Sequence, residues 1–413
     1  MSMFRPSVST AGRRAGWGAW CRLALALVPF ALAGCATSDY FAKSPPDGEA
    51  LFADASFAAP VEPLDPADAF KLTPAMQDYL DKYIAPAARV GGVRRAISKA
   101  LYDRGQLKLE YDSSVTRTAS EAFEAREGNC LSLVMMTGAL AKAMGMKVTY
   151  QQIQVDDMWS RSSGMYILSG HVNLELEHQY HEVGTGFDHD EAYVIDFVPA
   201  EGMPRAQVIS EATVLAMFMN NRAAEALVRG HIDDAYWRLR QAIALDRSFL
   251  GAYNTLGVVY LRHGDPAHAE AVLKYALKAA PDNPRLLANY AQALGELGRA
   301  DEAVAVKTHL AAVEPTPPFY WFVQGQQALH QGDFVKARTL FLKELDRAPD
   351  YHEFHYALAV ADFELNRLDE ARREMALAMD SAVKRSDHDL YSGKLDKINA
   401  WRAAASRSQT LTQ

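Results

Sequence analysis

The chain has 413 residues, 49% hydrophobic and 23% charged, which is the composition of an ordinary globular protein with room for two or three domains. Its formal net charge of −8 at pH 7 makes the surface acidic. That charge argues against nucleic acid as a partner and against adsorption to anionic lipid.

Residues 1–34 predict an export signal that is not part of the fold. Four arginines precede a short apolar stretch, 23–32, which is too short to span a membrane. The stretch ends in Leu32-Ala33-Gly34-Cys35, which resembles the bacterial lipobox. The resemblance implies cleavage before Cys35 and lipidation of its thiol, and Ala36 implies an outer-membrane address in the bacterial cell envelope. The alternative is a soluble export signal followed by a chance cysteine.

Export would leave one cysteine with an unmodified thiol. Cys21 would leave with the signal and Cys35 would carry the lipid, so Cys130 would remain and no disulfide could form within the chain. Loss of the four arginines would leave 39 basic residues against 51 acidic ones, a net charge of −12. No later stretch is long and apolar enough to span a membrane, so the membrane contact would be an N-terminal acyl anchor of the palmitate type.

Residues 35–70 are rich in Ala, Pro and Asp and predict a tether with little regular structure. Residues 71–212 predict an α+β domain, with helices first and an antiparallel sheet after them. The first helix should begin at Thr73-Pro74, an N-cap followed by proline. A later helix should begin with a capping box formed by Thr118 and Glu121.

Cys130 follows a Gly-Asn turn and begins a helix that should run from Leu131 to Met144. A helix N-terminus offers unpaired N–H groups and the positive end of the dipole, which stabilise a thiolate. The helix is apolar around most of its circumference, which predicts burial on all sides. A small buried apolar side chain is the alternative role for Cys130.

Three strands are predicted after Gly145, at 147–155, 170–177 and 193–198. The last two should pair antiparallel, which would bring His171 and Asp196 together on the polar face of the sheet. The insert between them contains several histidines and aspartates that could hold a metal, but a polar hairpin tip is the commoner arrangement, and no metal or cofactor is predicted. Its metal-ligating residue types are His178, His181, Asp188, His189 and Asp190.

The chain from 213 to 385 repeats with a period of 34 residues and predicts paired helices. Small residues recur at Ala223, Gly257, Ala291, Gly325 and Ala359, and alanines recur at Ala235, Ala269, Ala303, Ala337 and Ala371. This pattern resembles the tetratricopeptide repeat, which implies an all-α solenoid of five units. Lys307 and Glu344 depart from it, because they occupy positions that are usually apolar or small. Residues 386–413 predict a capping helix and a tail.

The segment 119–155 resembles the transglutaminase-like superfamily, as do Gly170-His171-Val172-Asn173 and Val194-Ile195-Asp196-Phe197. The resemblance implies a papain-like fold in which Cys130 is the nucleophile, His171 the general base and then acid, and Asp196 the group that orients the imidazole. Asn129, which stands where an aspartate is often found, and Trp159 are candidates to form or support the oxyanion site.

Together these patterns predict a lipid-anchored thiol enzyme, a cysteine peptidase, amidase or transamidase that attacks amide bonds of a protein or peptide held in the groove of the repeats. The alternative is a non-catalytic tetratricopeptide-repeat scaffold lipoprotein with a degenerate transglutaminase-like domain.

Overall fold

The computed structural model describes residues 51–62, 65–103, 106–113, 115–162, 165–178, 193–197, 205–382 and 385–410. The predicted export signal and Cys35 lie outside these residues, as does the insert from 179 to 192. Within the described ranges, no helix combines the length and apolar character that crossing a membrane requires.

Short helices form the first part of the described chain. Thr73 caps the first of them, as predicted, since its side chain accepts a hydrogen bond from the Met76 N–H. The predicted capping box is also present, with Glu121 N–H donating to Thr118 Oγ1 and Thr118 N–H donating to the Glu121 carboxylate. In chain order the helices are α1 (Pro74–Tyr79), a π-helical turn (Leu80–Ile84), α2 (Ala85–Gly91), α3 (Val93–Tyr102), α4 (Ala119–Ala125) and α5 (Cys130–Ala143).

The strands form two small sheets. The pair β1 (Glu110–Tyr111) and β2 (Glu127–Gly128) is parallel. The larger sheet has the order β5-β4-β3-β6, and its strands are β3 (Met146–Ser162), β4 (Met165–His178), β5 (Tyr193–Ile195) and β6 (Arg205–Ile209). The predicted antiparallel pairing of β4 and β5 is confirmed, with Leu174 opposite Ile195. Strand β6, which the sequence analysis does not predict, pairs with β3.

Residues 211–380 form five helix pairs, and residues 385–410 form a long last helix. Small residues stand where paired helices cross: a Cβ on Gly257 would lie 2.7 Å from the Leu273 side chain, and one on Gly325 would lie 2.5 Å from Phe341. The helices are α6 (Glu211–Val228), α7 (Ile232–Leu245), α8 (Leu250–His263), α9 (Pro266–Leu277), α10 (Pro284–Glu296), α11 (Ala300–Val313), α12 (Tyr320–His330), α13 (Phe334–Leu345), α14 (His352–Glu364), α15 (Leu368–Asp380) and α16 (Arg385–Thr410).

The departure of Glu344 from the repeat pattern has a structural reason. Glu344 lies on α13. Its carboxylate is 2% exposed and accepts hydrogen bonds from three backbone N–H groups at the start of α12, those of Phe319 (3.2 Å), Trp321 (2.8 Å) and Phe322 (3.1 Å). Phe319 has a φ of 62° and offers no side-chain cap of its own. The glutamate therefore supplies the cap of α12 from a neighbouring helix.

Replacing Glu344 with alanine is expected to lower the free energy of unfolding by about 2 kcal/mol, because three buried N–H groups lose their acceptor. Urea titration followed by circular dichroism measures this loss. Glu296→Ala is the matched control, since Glu296 is exposed and its carboxylate accepts a hydrogen bond from Gln292, one helical turn away. Equal, small losses in both variants would contradict the capping role.

Candidate functional site

Cys130 is the first residue of α5 and is 5% exposed. Asn129 caps the helix, because its Oδ1 accepts from the Ser132 N–H at 2.9 Å. The helix is buried along most of its length, as its apolar sequence predicts. Cys130 is also the only cysteine among the described residues, so it is present there as a thiol.

His171, within β4, and Asp196, which directly follows β5, lie together just beyond the paired residues of the two strands. The His171 Nε2 atom is 2.9 Å from Asp196 Oδ2, and Asn173 Nδ2 donates to the same oxygen at 3.1 Å. The strand register explains this arrangement, since its continuation by one residue places Asp196 across from Asn173, with His171 two residues along the same face. That face is polar, as predicted, but His171 and Asn173 are only 1% and 5% exposed.

The Cys130 side chain interacts with the imidazole of His171 and helps to raise its pKa. The Nδ1 atom is buried, and the Cys130 side chain interacts with the ring by hydrogen bonding and electrostatically. Burial lowers the pKa of His171, but the hydrogen bonds and charges of Asp196 and Cys130 outweigh it and raise the pKa to about 9. The ring is therefore a cation at neutral pH, between Asp196 and Cys130.

Two tyrosines near this cluster were not anticipated from the sequence. Burial and the nearby Cys130 raise the pKa of Tyr111, so its hydroxyl stays protonated. Its strand β1 pairs with β2 directly before the cysteine, with Tyr111 opposite Gly128. The Tyr102 hydroxyl donates to the backbone oxygen of Asp196 at 3.3 Å. Neither residue belongs to a motif. Tyr111 lies on β1 and Tyr102 on α3, and both elements precede the cysteine helix in the chain.

The two residues proposed to form or support an oxyanion site have different positions. The Asn129 side chain is engaged in capping: its Oδ1 accepts from the N–H and Oγ of Ser132, and its Nδ2 donates to Thr116 Oγ1 at 2.8 Å. Trp159 lies in β3, paired with Leu168 of β4. The side chain of Trp159 lies outside the described atoms.

Helix α6 makes hydrogen bonds to Thr116, and Thr116 in turn accepts a hydrogen bond from Asn129. The Thr116 N–H donates to Glu225 Oε1 at 2.7 Å, and Arg222 donates to the Thr116 carbonyl at 3.0 Å. Burial raises the pKa of Glu225. The start of the cysteine helix is thus fixed by the first helix of the repeat region. The sequence contains no signal for this contact, because the partners are more than a hundred residues apart.

The described residues include one group with metal-ligand geometry, Glu62, His231 and Asp234. Its carboxylates already have protein partners. Asp234 Oδ1 accepts from the backbone N–H of Val61 at 2.8 Å and of Glu62 at 3.2 Å, and Arg238 donates to Glu62. These contacts account for the group as a structural cluster.

Comparison with known proteins identifies the repeats. One family model described as tetratricopeptide repeat matches residues 260–321 and 328–391, and a second with the same description matches residues 220–284. No curated protein matches the chain.

Several solved structures are similar to part of the chain. One, described as a functional characterization of Pseudomonas aeruginosa pilF, is 22% identical over 46% of this chain and 87% of its own, with a TM-score of 0.29. A thermophilic TPR protein of Thermus thermophilus is 21% identical over 44% of this chain and 98% of its own, with a TM-score of 0.29. Yeast Tom70 is 15% identical over 46% of this chain and 40% of its own, with a TM-score of 0.34.

Proposed function

We propose that this chain, which contains tetratricopeptide repeats, binds a protein or peptide partner through them and attacks an amide bond of that partner with Cys130. The repeats support the binding part, since stacked helix pairs form extended surfaces that recognise polypeptides. The catalytic part depends on one observation, the contact of a buried histidine with both a carboxylate and the cysteine.

The proposed reaction begins with attack of the Cys130 thiolate, which the protonated ring of His171 stabilises, on the carbonyl carbon of an amide. A C–S bond forms, the C–N bond breaks, and the protonated ring of His171 gives its proton to the leaving amine. Asp196 keeps the ring oriented and stabilises its charge. Water or a second amine then attacks the thioester carbonyl and gives a proton to the neutral ring of His171, the C–S bond breaks, and Cys130 leaves as the thiolate. The Cys130 N–H at the start of α5 and the protonated Tyr111 hydroxyl are the candidate oxyanion donors.

A non-catalytic scaffold is the second candidate function, and the comparisons favour it, since the family models match the repeats. The low exposure of Cys130 and His171, 5% and 1%, also favours it, because a substrate would need an opening to reach the thiol. In this role the α+β domain would bind or brace the repeats without chemistry.

Covalent trapping separates the two functions. The mature chain, exposed to envelope extract and analysed by mass spectrometry, is expected to carry acyl adducts on Cys130 that are absent from Cys130→Ala. Pull-down of the same partners by wild type and Cys130→Ala, with no adduct on either, would contradict the enzyme and support the scaffold.

We also propose that the chain is a lipoprotein of the bacterial cell envelope, anchored through Cys35. Replacing Cys35 with serine is expected to move more than about nine-tenths of the protein out of the membrane fraction, since acyl chains would be the anchor. Cys21→Ser is the matched control, because that cysteine leaves with the signal. Immunoblots of fractionated cells measure the shift, and membrane recovery of the Cys35 variant would refute the anchor.

A further inference from the structure

Residues 51–62, which we call the strap, lie against α7 and α8 although the sequence predicts them to be part of a tether. Leu51 and Phe57 are buried in the main hydrophobic core, 9% and 6% exposed. The Tyr260 hydroxyl on α8 accepts from the Ala53 N–H at 3.1 Å and donates to the Leu51 carbonyl at 2.9 Å. One tyrosine thus satisfies two backbone groups of the strap.

The Phe57 ring is the apolar anchor of the strap. It stacks on Tyr236 with ring centroids 3.9 Å apart and planes 3° from parallel. The Tyr260 and His263 rings lie against it at 5.9 Å and 4.4 Å. A buried aromatic ring in a pocket of rings is the usual energetic centre of a peptide interface.

Asp54 is the charged anchor of the strap. Its carboxylate accepts from the Tyr236 hydroxyl at 2.5 Å and from Arg240 Nε at 3.1 Å. The hydrogen bond from Tyr236 is the main cause that lowers the pKa of Asp54. The Arg240 guanidinium also lies over the Phe52 ring, 4.1 Å from its centroid. Phe57 is three positions after Asp54, so one short 3₁₀ turn presents both anchors.

Side chains of α7 bind the backbone of the strap beyond Phe57. Trp237 Nε1 donates to the Ala58 carbonyl at 2.7 Å, and the Ala58 N–H donates to Asp233 at 3.0 Å. Asp234 accepts from the Val61 N–H. The strap has no strand or long helix to satisfy its own backbone, and the repeats supply the missing partners.

We propose that α7 and α8 form a peptide-binding site of the repeats, and that the strap is its built-in ligand. The site recognises a segment with an acidic residue three positions before an aromatic one, and it binds the backbone on either side. A free peptide with this pattern competes with the strap, so the site is closed to other partners while the strap is bound. The proposal is independent of the chemistry of Cys130.

The test uses the mature chain with a protease recognition sequence inserted between Glu62 and Asp65. After cleavage and gel filtration, a fluorescent peptide of residues 50–62 is titrated into the cut chain and into the uncut chain. Fluorescence anisotropy should show saturable binding to the cut chain and at least tenfold weaker binding to the uncut chain. A strap that stays bound after cleavage, and is exchanged by excess peptide, gives the same conclusion.

Three peptides establish specificity. Phe57→Ala and Asp54→Asn should each weaken binding about tenfold or more, whereas Ser56→Ala, which changes an exposed side chain, should bind like the native peptide. Trp237→Phe in the protein should weaken all peptides through the lost Nε1 donor. Absence of peptide binding to the folded, cut chain, or binding that ignores Phe57, would overturn the proposal.

Discussion

Alkylation of Cys130 by iodoacetamide at pH 7 is expected to slow by about a hundredfold when His171 is replaced with asparagine. The protonated ring of His171 stabilises the thiolate, which is the form that iodoacetamide attacks. Asparagine keeps a polar side chain near Asp196 but carries no charge. Peptide mass spectrometry after timed quenching gives the rate at Cys130 itself.

The matched control for this variant is His355→Asn. His355 on α14 is also buried, hydrogen-bonds a carboxylate, Glu374, and has a raised pKa, but it lies in the repeats. Its replacement should leave the alkylation rate unchanged. Equal rates in wild type, His171→Asn and His355→Asn, with all three folded by circular dichroism, would leave Cys130 without an activating base and favour the scaffold function.

Replacing Asp196 with asparagine is expected to move the titration of His171 to lower pH by at least about one unit. In the wild type the pKa is raised to about 9, with Asp196 supplying a hydrogen bond and a negative charge. The ring is therefore charged below about pH 9 and loses its proton as the pH rises through that value. Without the carboxylate, burial, which lowers the pKa, is less opposed.

Two measurements follow this shift. The pH dependence of the Cys130 alkylation rate should change near pH 9 in the wild type and at lower pH in Asp196→Asn. The free energy of unfolding should also depend on the pair, because a raised pKa in the folded state adds stability that is complete below pH 6.5 and is lost as the pH rises through about 9. A shift from 6.5 to about 9 corresponds to about 3 kcal/mol.

The matched control here is Asn173→Asp, which keeps the partner position but adds a second negative charge beside Asp196. The pKa of His171 in this variant should equal or exceed the wild-type value. Identical profiles in wild type and Asp196→Asn would show that Asp196 does not control the ring.

Local patterns predicted the parts of the fold that depend on neighbouring residues. The capping box at Thr118 and the start of the cysteine helix depend on hydrogen bonds three residues apart. The contact of His171 with Asp196 followed from two strands that the sequence predicts to be joined by a turn and to pair antiparallel. The helix pairs followed from a 34-residue spacing of small residues, where close packing tolerates little else.

The unpredicted features are long-range. Strand β6 is short and largely exposed, so it has little apolar alternation of its own. Glu225 and Arg222 support the site across more than a hundred residues. The strap has the composition of a linker. Its burial in the core depends on contacts with Tyr236 and Tyr260, which lie about two hundred residues later in the chain.

The strap also limits how far from a membrane anchor the folded part of the chain can move. If Cys35 carries the lipid, the anchor is only 16 residue positions before Leu51, where the chain is held on the repeats. Fully extended, they reach at most about 55 Å, whereas the 36 residues to Lys71 would reach about 125 Å. The accessible volume falls roughly with the cube of that radius, by about tenfold, which raises the local concentration of membrane-bound partners. Release of the strap would lengthen the tether without breaking a covalent bond.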